Sequence, residues 1–179
     1  KQSRTEGFKS HITDPTPHNR QQHDIQHPAN EQINIGFRNV TGLLEAAKMH
    51  TIVRAMKIHK LQLMFLTETH IKEPGKITLN GHHFHPSADG KRTPQGKPKQ
   101  TFTGVTVVTS PKFAPTLTEL MPIDGRFLTA TFNTAQAPLK LIATYAPHNE
   151  IDYDTRQKYH DQLTKLVSDT PNSTNLILL

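Results

Sequence analysis

Cysteine is absent from all 179 residues, which excludes disulfides, thiolate zinc sites, iron–sulfur clusters and a cysteine nucleophile. The core must stand on burial alone. No apolar run approaches the roughly 18 residues that span a bilayer, and residues 1–30 lack the apolar stretch of a signal peptide. The sequence therefore reads as a soluble, intracellular protein, nuclear or cytoplasmic and not secreted. Apolar side chains are scarce too: at 34% of the chain, even with the nine glycines added, they fall short of the roughly 45–50% of a globular domain. Part of the chain is expected to lie outside a packed core. Basic charge is plentiful. The net charge is +6, and twelve histidines add to it below neutrality, a balance that favours anionic partners, nucleic acid first among them.

The length suits one ordinary domain, or part of a larger one, and the chain does not open with Met. Residues 1–31 carry only Phe8, Ile12, Ile25 and Ala29 as apolar side chains, without period, which predicts a disordered or linker segment. The domain is expected over 32–179. There Ile33, Ile35 and Phe37 alternate with Asn34, Gly36 and Arg38, a strand period that puts Asn39 on the apolar side. Helical spacing takes over at 43–60, with Met49, Ile52, Val53 and Met56 on one stripe. The run at 61–66 is apolar on both faces, as in a strand covered on both sides.

Strand, helix and buried strand in succession predict a right-handed crossover in a layered α/β domain. A short strand at 76–79 and a mobile basic loop at 86–99, with Lys91, Arg92, Lys97 and Lys99, are expected next. β-rich segments at 103–109, 126–133 and 139–145 follow, separated by proline-bearing turns at 111–122 and 138. A second helix is predicted over 154–168, capped by Asp154 or Thr155, with Tyr159, Leu163, Leu166 and Val167 as its stripe. Residues 175–179 read as the opening of another buried strand, a place where a domain seldom stops.

Three residues at predicted strand ends carry chemistry. Glu68 follows an apolar strand directly, so it is delivered to the carboxyl edge of the sheet, where ligand sites of α/β folds gather. A carboxylate there suits Mg²⁺, which often takes one or two protein carboxylates and completes its shell with water and phosphate. A helix cap or a pairing with Lys72 would account for it as well. Asn39 points to the same edge if its strand is a neighbour, or serves the turn into Gly42. Tyr145 ends a strand before Ala146 and Pro147, where its phenol would donate to a phosphate oxygen or cover the rim of the core.

The order Asn39-Val40-Thr41-Gly42-Leu43, Phe65-Leu66-Thr67-Glu68-Thr69-His70, Gly104-Val105, Gly125-Arg126 and Thr144-Tyr145-Ala146-Pro147 resembles the endonuclease/exonuclease/phosphatase superfamily. Within it, the apurinic/apyrimidinic-like endonuclease domain of non-LTR retrotransposons is most similar. The resemblance covers roughly residues 32–179. It implies a four-layer α/β sandwich, incomplete at its C-terminus, with two sheets packed face to face and the site where strand ends meet. It implies that Glu68 and Asn39 serve the metal, Mg²⁺ with Mn²⁺ as an alternative. Asn39, Glu68 and Tyr145 would be the catalytic residues, Tyr145 holding the scissile phosphate of a DNA substrate. The reaction implied is phosphodiester hydrolysis, with the metal polarising the phosphoryl oxygen while water attacks in line.

There are departures. Many members carry an acid two positions after the first asparagine, where this chain has Thr41. The family's Gly-Asp-Phe-Asn stretch, source of the water-activating aspartate, would begin after Leu179, and a later Asp-His pair is missing. The chain looks like the amino-terminal part of such a domain and is expected to hydrolyse little by itself. Two rival readings are a phosphatase or phosphodiesterase of the same fold acting on a small phosphoester, and a non-catalytic basic remnant that binds nucleic acid without Mg²⁺. Among further residues, Lys91 and Arg92 could grip DNA phosphates, and His148 and Asp152 could line the rim near Tyr145. His82, His83 and His85 form a conspicuous cluster, but a strand puts only His83 and His85 on one face, with Asp89 the nearest acid, which makes a poor zinc site. Ser110 and Ser168 sit in no nucleophile motif.

Overall fold

The computed structural model describes residues 32–88 and 104–179. The expectations for 1–31, for Asp89 and for Lys91, Arg92 and the rest of the basic loop beyond residue 88 lie outside the described residues. In chain order the elements are β1 (Ile35–Asn39), α1 (Ala46–Ile58), β2 (Leu63–Thr67), β3 (Ile77–Leu79), β4 (His82–Pro86), β5 (Val105–Thr109), β6 (Leu117–Asp124), β7 (Phe127–Phe132), β8 (Leu139–Thr144), α2 (Tyr153–Ser168) and β9 (Asn175–Leu178). They form two sheets, ordered β1-β2-β5-β4-β3 and β6-β7-β8-β9. β1 and β2 run parallel, joined by the α1 crossover, and β8 and β9 run parallel, joined by α2.

Side-chain alternation builds the layers. On β2, Leu63 and Phe65, with Val105 and Val107 of the neighbouring β5, face the second sheet, where they meet Leu128, Ala130, Leu141 and Ala143. Met64 and Leu66 point the other way, against Ile52, Val53 and Met56 of α1. Every residue of β2 is buried, in keeping with its apolarity on both faces, and each large side chain so covered contributes roughly 1.5–3 kcal/mol. On the far side, Phe127 and Ile142 pack against Tyr159 and Leu166 of α2. The order helix, sheet, sheet, helix is the four-layer sandwich that the sequence implied.

Several local expectations are corrected. Residues 111–122 are no succession of turns: a 3₁₀ turn at Ala114–Thr116 leads into β6. β6 is the outer strand of its sheet, so Pro122 is tolerated, and half-exposed edge strands show little periodic signal. The basic loop does not begin at Pro86, which ends β4, and Ser87 and Ala88 are buried. α1 starts at Ala46 rather than 43; Gly42 and Leu43 lie in the preceding loop, where their N–H groups donate to the carbonyls of Glu68 and Thr69. α2 is capped by Asp152, whose side chain accepts from the Thr155 N–H, and not by Asp154 or Thr155. Val167 lies off the buried stripe. Phe37 is exposed on the edge strand β1, and β9 is only partly buried. No described helix is long and apolar enough to cross a membrane.

Candidate active site at the strand tips

β1, β2 and β8 end, and β5 and β7 begin, at one edge of the sandwich, since Asn39 pairs with Thr67, Thr67 with Val105, and Phe127 with Thr144. The residues just past these ends are therefore brought together. Asn39 Nδ2 donates to Glu68 Oε1 at 2.7 Å, and the Tyr145 hydroxyl donates to the same oxygen at 2.6 Å. The Thr41 N–H donates to Asn39 Oδ1 at 3.2 Å, which fixes the amide with its NH₂ toward the carboxylate. Glu68 makes no ion pair with Lys72 and caps no helix. His148 joins the group, its ring edge-on to Tyr145 at 6.1 Å between centroids. Asp152 does not, being committed to Thr155 at the start of α2.

The backbone here is unusual. Thr41, Glu68 and His70 all adopt left-handed φ values, of 45°, 55° and 55°. Such a conformation costs a non-glycine residue about 1–2 kcal/mol, and three of them fall within one small region. They persist because the loop after β2 is pinned from both sides: Glu68 O accepts from Gly42, Thr69 O from Leu43, and the Thr69 N–H donates to Gly104 O. A side chain on Gly104 would meet Thr69 Oγ1 at 3.0 Å and the His70 nitrogen at 3.2 Å, so only glycine lets β5 begin this close. Beneath the loop, buried Thr106 donates to Thr69 across 3.0 Å, and buried Ser87 ties the β5 start to Gly125. Tyr145 is held in the same way: its N–H donates to Arg126 O, and Arg126 Nη1 donates back to its carbonyl.

Electrostatics follow the contacts. The Tyr145 hydroxyl and then the Asn39 amide hold the Glu68 carboxyl below its ordinary value, with His70 and His148 adding to the effect. Tyr145 is pushed up by the same bond and by burial, so it is a neutral donor. Both bonds land on Oε1, which leaves Oε2 without a partner among the described residues. A half-buried, ionised carboxylate with one free oxygen fits a hard divalent cation that brings its own water and takes phosphate oxygens. No group of three or more His, Asp or Glu among the described residues could hold a metal on its own, so such an ion would rely on substrate and water for most of its shell.

His70 and Arg126 act on this site without having been assigned a role from sequence. His70 comes two residues after Glu68 in the Glu-Thr-His run, and Arg126 belongs to the Gly-Arg pair before β7; their positions at strand ends were the available signal. The histidine cluster is elsewhere. His83 and His85 share a face, as expected, with ring centroids 6.1 Å apart, while His82 bonds the Asn80 carbonyl.

No sequence-family model and no curated protein matches the chain significantly. Solved structures do. The chain resembles an AP endonuclease from Leishmania major (TM-score 0.53, 16% identity, 82% of this chain and 54% of that one). It also resembles TDP2 of D. rerio in complex with a single-strand DNA product (0.53, 12%, 82% and 58%). A third likeness is to the endonuclease domain of TRAS1, a telomere-specific non-LTR retrotransposon (0.52, 11%, 79% and 57%). The chain thus spans little more than half the length of each, and at such identities the likeness is one of fold. Two packed sheets flanked by a helix on either side give this chain the fold of these solved structures, the four-layer sandwich that the resemblance to the endonuclease/exonuclease/phosphatase superfamily implied.

Proposed function

We propose that the Glu68 centre hydrolyses phosphodiester bonds of DNA with Mg²⁺, or Mn²⁺ in its place, in the manner of a retrotransposon-type endonuclease. The observation that carries this reading is the shared Glu68 Oε1: one carboxylate is oriented by an amide and a phenol from two other strands, and its second oxygen is left free. Glu68 Oε2 would hold the cation, and Asn39 Oδ1, which accepts from the Thr41 N–H, keeps a second lone pair that could serve it. The bound ion supplies polarisation of the phosphoryl oxygen and relief of charge on the leaving oxygen. Tyr145, kept neutral, hands its hydrogen bond from Glu68 to a non-bridging phosphate oxygen as the substrate seats. DNA is favoured over a small phosphoester by the +6 charge and by the DNA product in the similar D. rerio protein.

The groups that act on the charge of Glu68 are Tyr145, Asn39, His70 and His148, with no second carboxylate among them. Water activation by this chain alone is therefore weak, and slow turnover is expected. The test is nicking of supercoiled plasmid at high protein concentration, with and without Mg²⁺, paired with Mn²⁺ line broadening of backbone amides. Slow, metal-dependent nicking that Glu68→Gln abolishes, with broadening centred on Asn39, Glu68 and Tyr145, is the expected result. Equal nicking by Glu68→Gln would remove the assignment.

A further inference from the structure

Around the tip of β1, on the opposite face from Phe37, the chain forms a recess of about 310 Å³ between β1 and α1. Its polar wall comprises Arg38, Asn39, Thr41, Lys48 and Thr51, and no carboxylate among the described residues lines it. Arg38 precedes Asn39 on the strand, so alternation sends its side chain to the α1 side while the Asn39 amide turns to Glu68. The Arg38 guanidinium has no hydrogen bond or ion pair among the described residues, where Lys165 and Asp169 form the salt bridge. Lys48 is anchored over the recess by its bonds to Thr41 O at 3.4 Å and Gly42 O at 3.2 Å. An ammonium has three donors, so one remains.

Two cations in one recess without an acid repel each other until an anion arrives. The anion best matched is a phosphate, because a guanidinium fork grips two of its oxygens while an ammonium takes a third as a point charge. Asn39 and Thr41 belong to both places: Asn39 orients Glu68, and both line the recess. Through these two residues the recess adjoins the Glu68 centre, beside any strand held there. We propose that this recess binds the nucleic-acid phosphate next to the one under attack, and so fixes the register of the strand. The proposal rests on the hydrolase reading for its choice of strand.

The experiment uses the full chain and a short labelled DNA duplex, with binding followed by fluorescence anisotropy in EDTA across a series of KCl concentrations. Arg38→Gln should weaken binding roughly 3- to 10-fold and lower the slope of log K against log salt by about 0.9, the loss of one phosphate contact. Arg54→Gln, on the exposed side of α1 and outside the recess, controls for net charge and should change both less. Equal effects of the two variants would overturn the proposal. A second arm titrates inorganic phosphate into isotope-labelled protein: the amides of Arg38, Thr41 and Thr51 should shift saturably, and Arg38→Gln should suppress the shift. Saturable shifts without Mg²⁺-dependent nicking would sink the hydrolase reading and keep the recess. Glu68-dependent nicking with no Arg38 effect in either arm would do the reverse.

Discussion

The strand-tip centre and the histidine strand β4 both concentrate ionisable side chains, and the fold treats their charge in opposite ways. At the tips a single carboxylate is half-buried, receives two hydrogen bonds, and is held in its ionised form. In β4, three histidines fall within four residues, yet His82 and His85 are buried and burial works against their charge. His85 is driven down to about 4, and its Nε2 is buried without a hydrogen-bond partner. The contrast teaches that density of titratable groups does not mark a site. What marks it is a charged form that the surroundings support while one of its atoms stays open to a ligand.

The largest expected effect breaks the contrast at its stronger side. Glu68→Gln should reduce Mg²⁺-dependent nicking at least about 100-fold, since the metal-facing charge is lost, while the urea midpoint of unfolding barely moves. The next acts on β4. Above pH 6.5 the His85 ring is neutral whether the chain is folded or not. As pH falls from 6.5 toward 4, the unfolded chain takes up a proton that the folded chain refuses. Stability should therefore fall across that window, by about 3 kcal/mol from this residue, and His85→Leu should flatten the profile in urea titrations at successive pH values. Added Zn²⁺ should leave the midpoint unchanged; a rise that His83→Ala removes would turn β4 into the functional region.

Much of this contrast was legible before any coordinates. β2 announced itself because a strand buried on both faces must be apolar throughout, and Glu68 could be placed at a sheet edge because it directly follows that strand. The opposed faces of His82 and His83 followed from the two-residue period. β6 was not legible: an outer strand needs apolar side chains on one face at most, and Pro122, which normally argues against a strand, costs nothing at an edge. Asp152 escaped notice as the α2 cap because Asp154 and Thr155 offer the same chemistry two and three residues later. Nor could the sequence reveal that Arg38 and Lys48 line one recess, since nine residues, most of them loop, lie between them. The hydrogen bonds that shape the site are of the same kind: Thr69 and Thr106, or Arg126 and Tyr145, are distant in sequence and unremarkable in type.

Tyr145→Phe sharpens the comparison by weakening the support for the Glu68 charge without removing the carboxylate. The phenol is the leading cause of the lowered Glu68 value, so its loss should raise that value toward an ordinary glutamate, readable by carboxyl NMR titration. Nicking should drop about 10-fold, consistent with loss of one donor to the phosphate. A Glu68 titration that does not move would mean that Asn39 alone orients the carboxylate. The smallest effect is expected one layer down, at Thr106→Val. This change removes a buried hydroxyl and orphans its partner on Thr69, at a cost of about 1 kcal/mol in unfolding free energy. The left-handed turn at Glu68 leans on Thr69 through this bond and through Gly104. If the network serves to hold that turn, nicking should fall in Thr106→Val by more than the stability loss alone predicts, and Thr106→Ser should restore it.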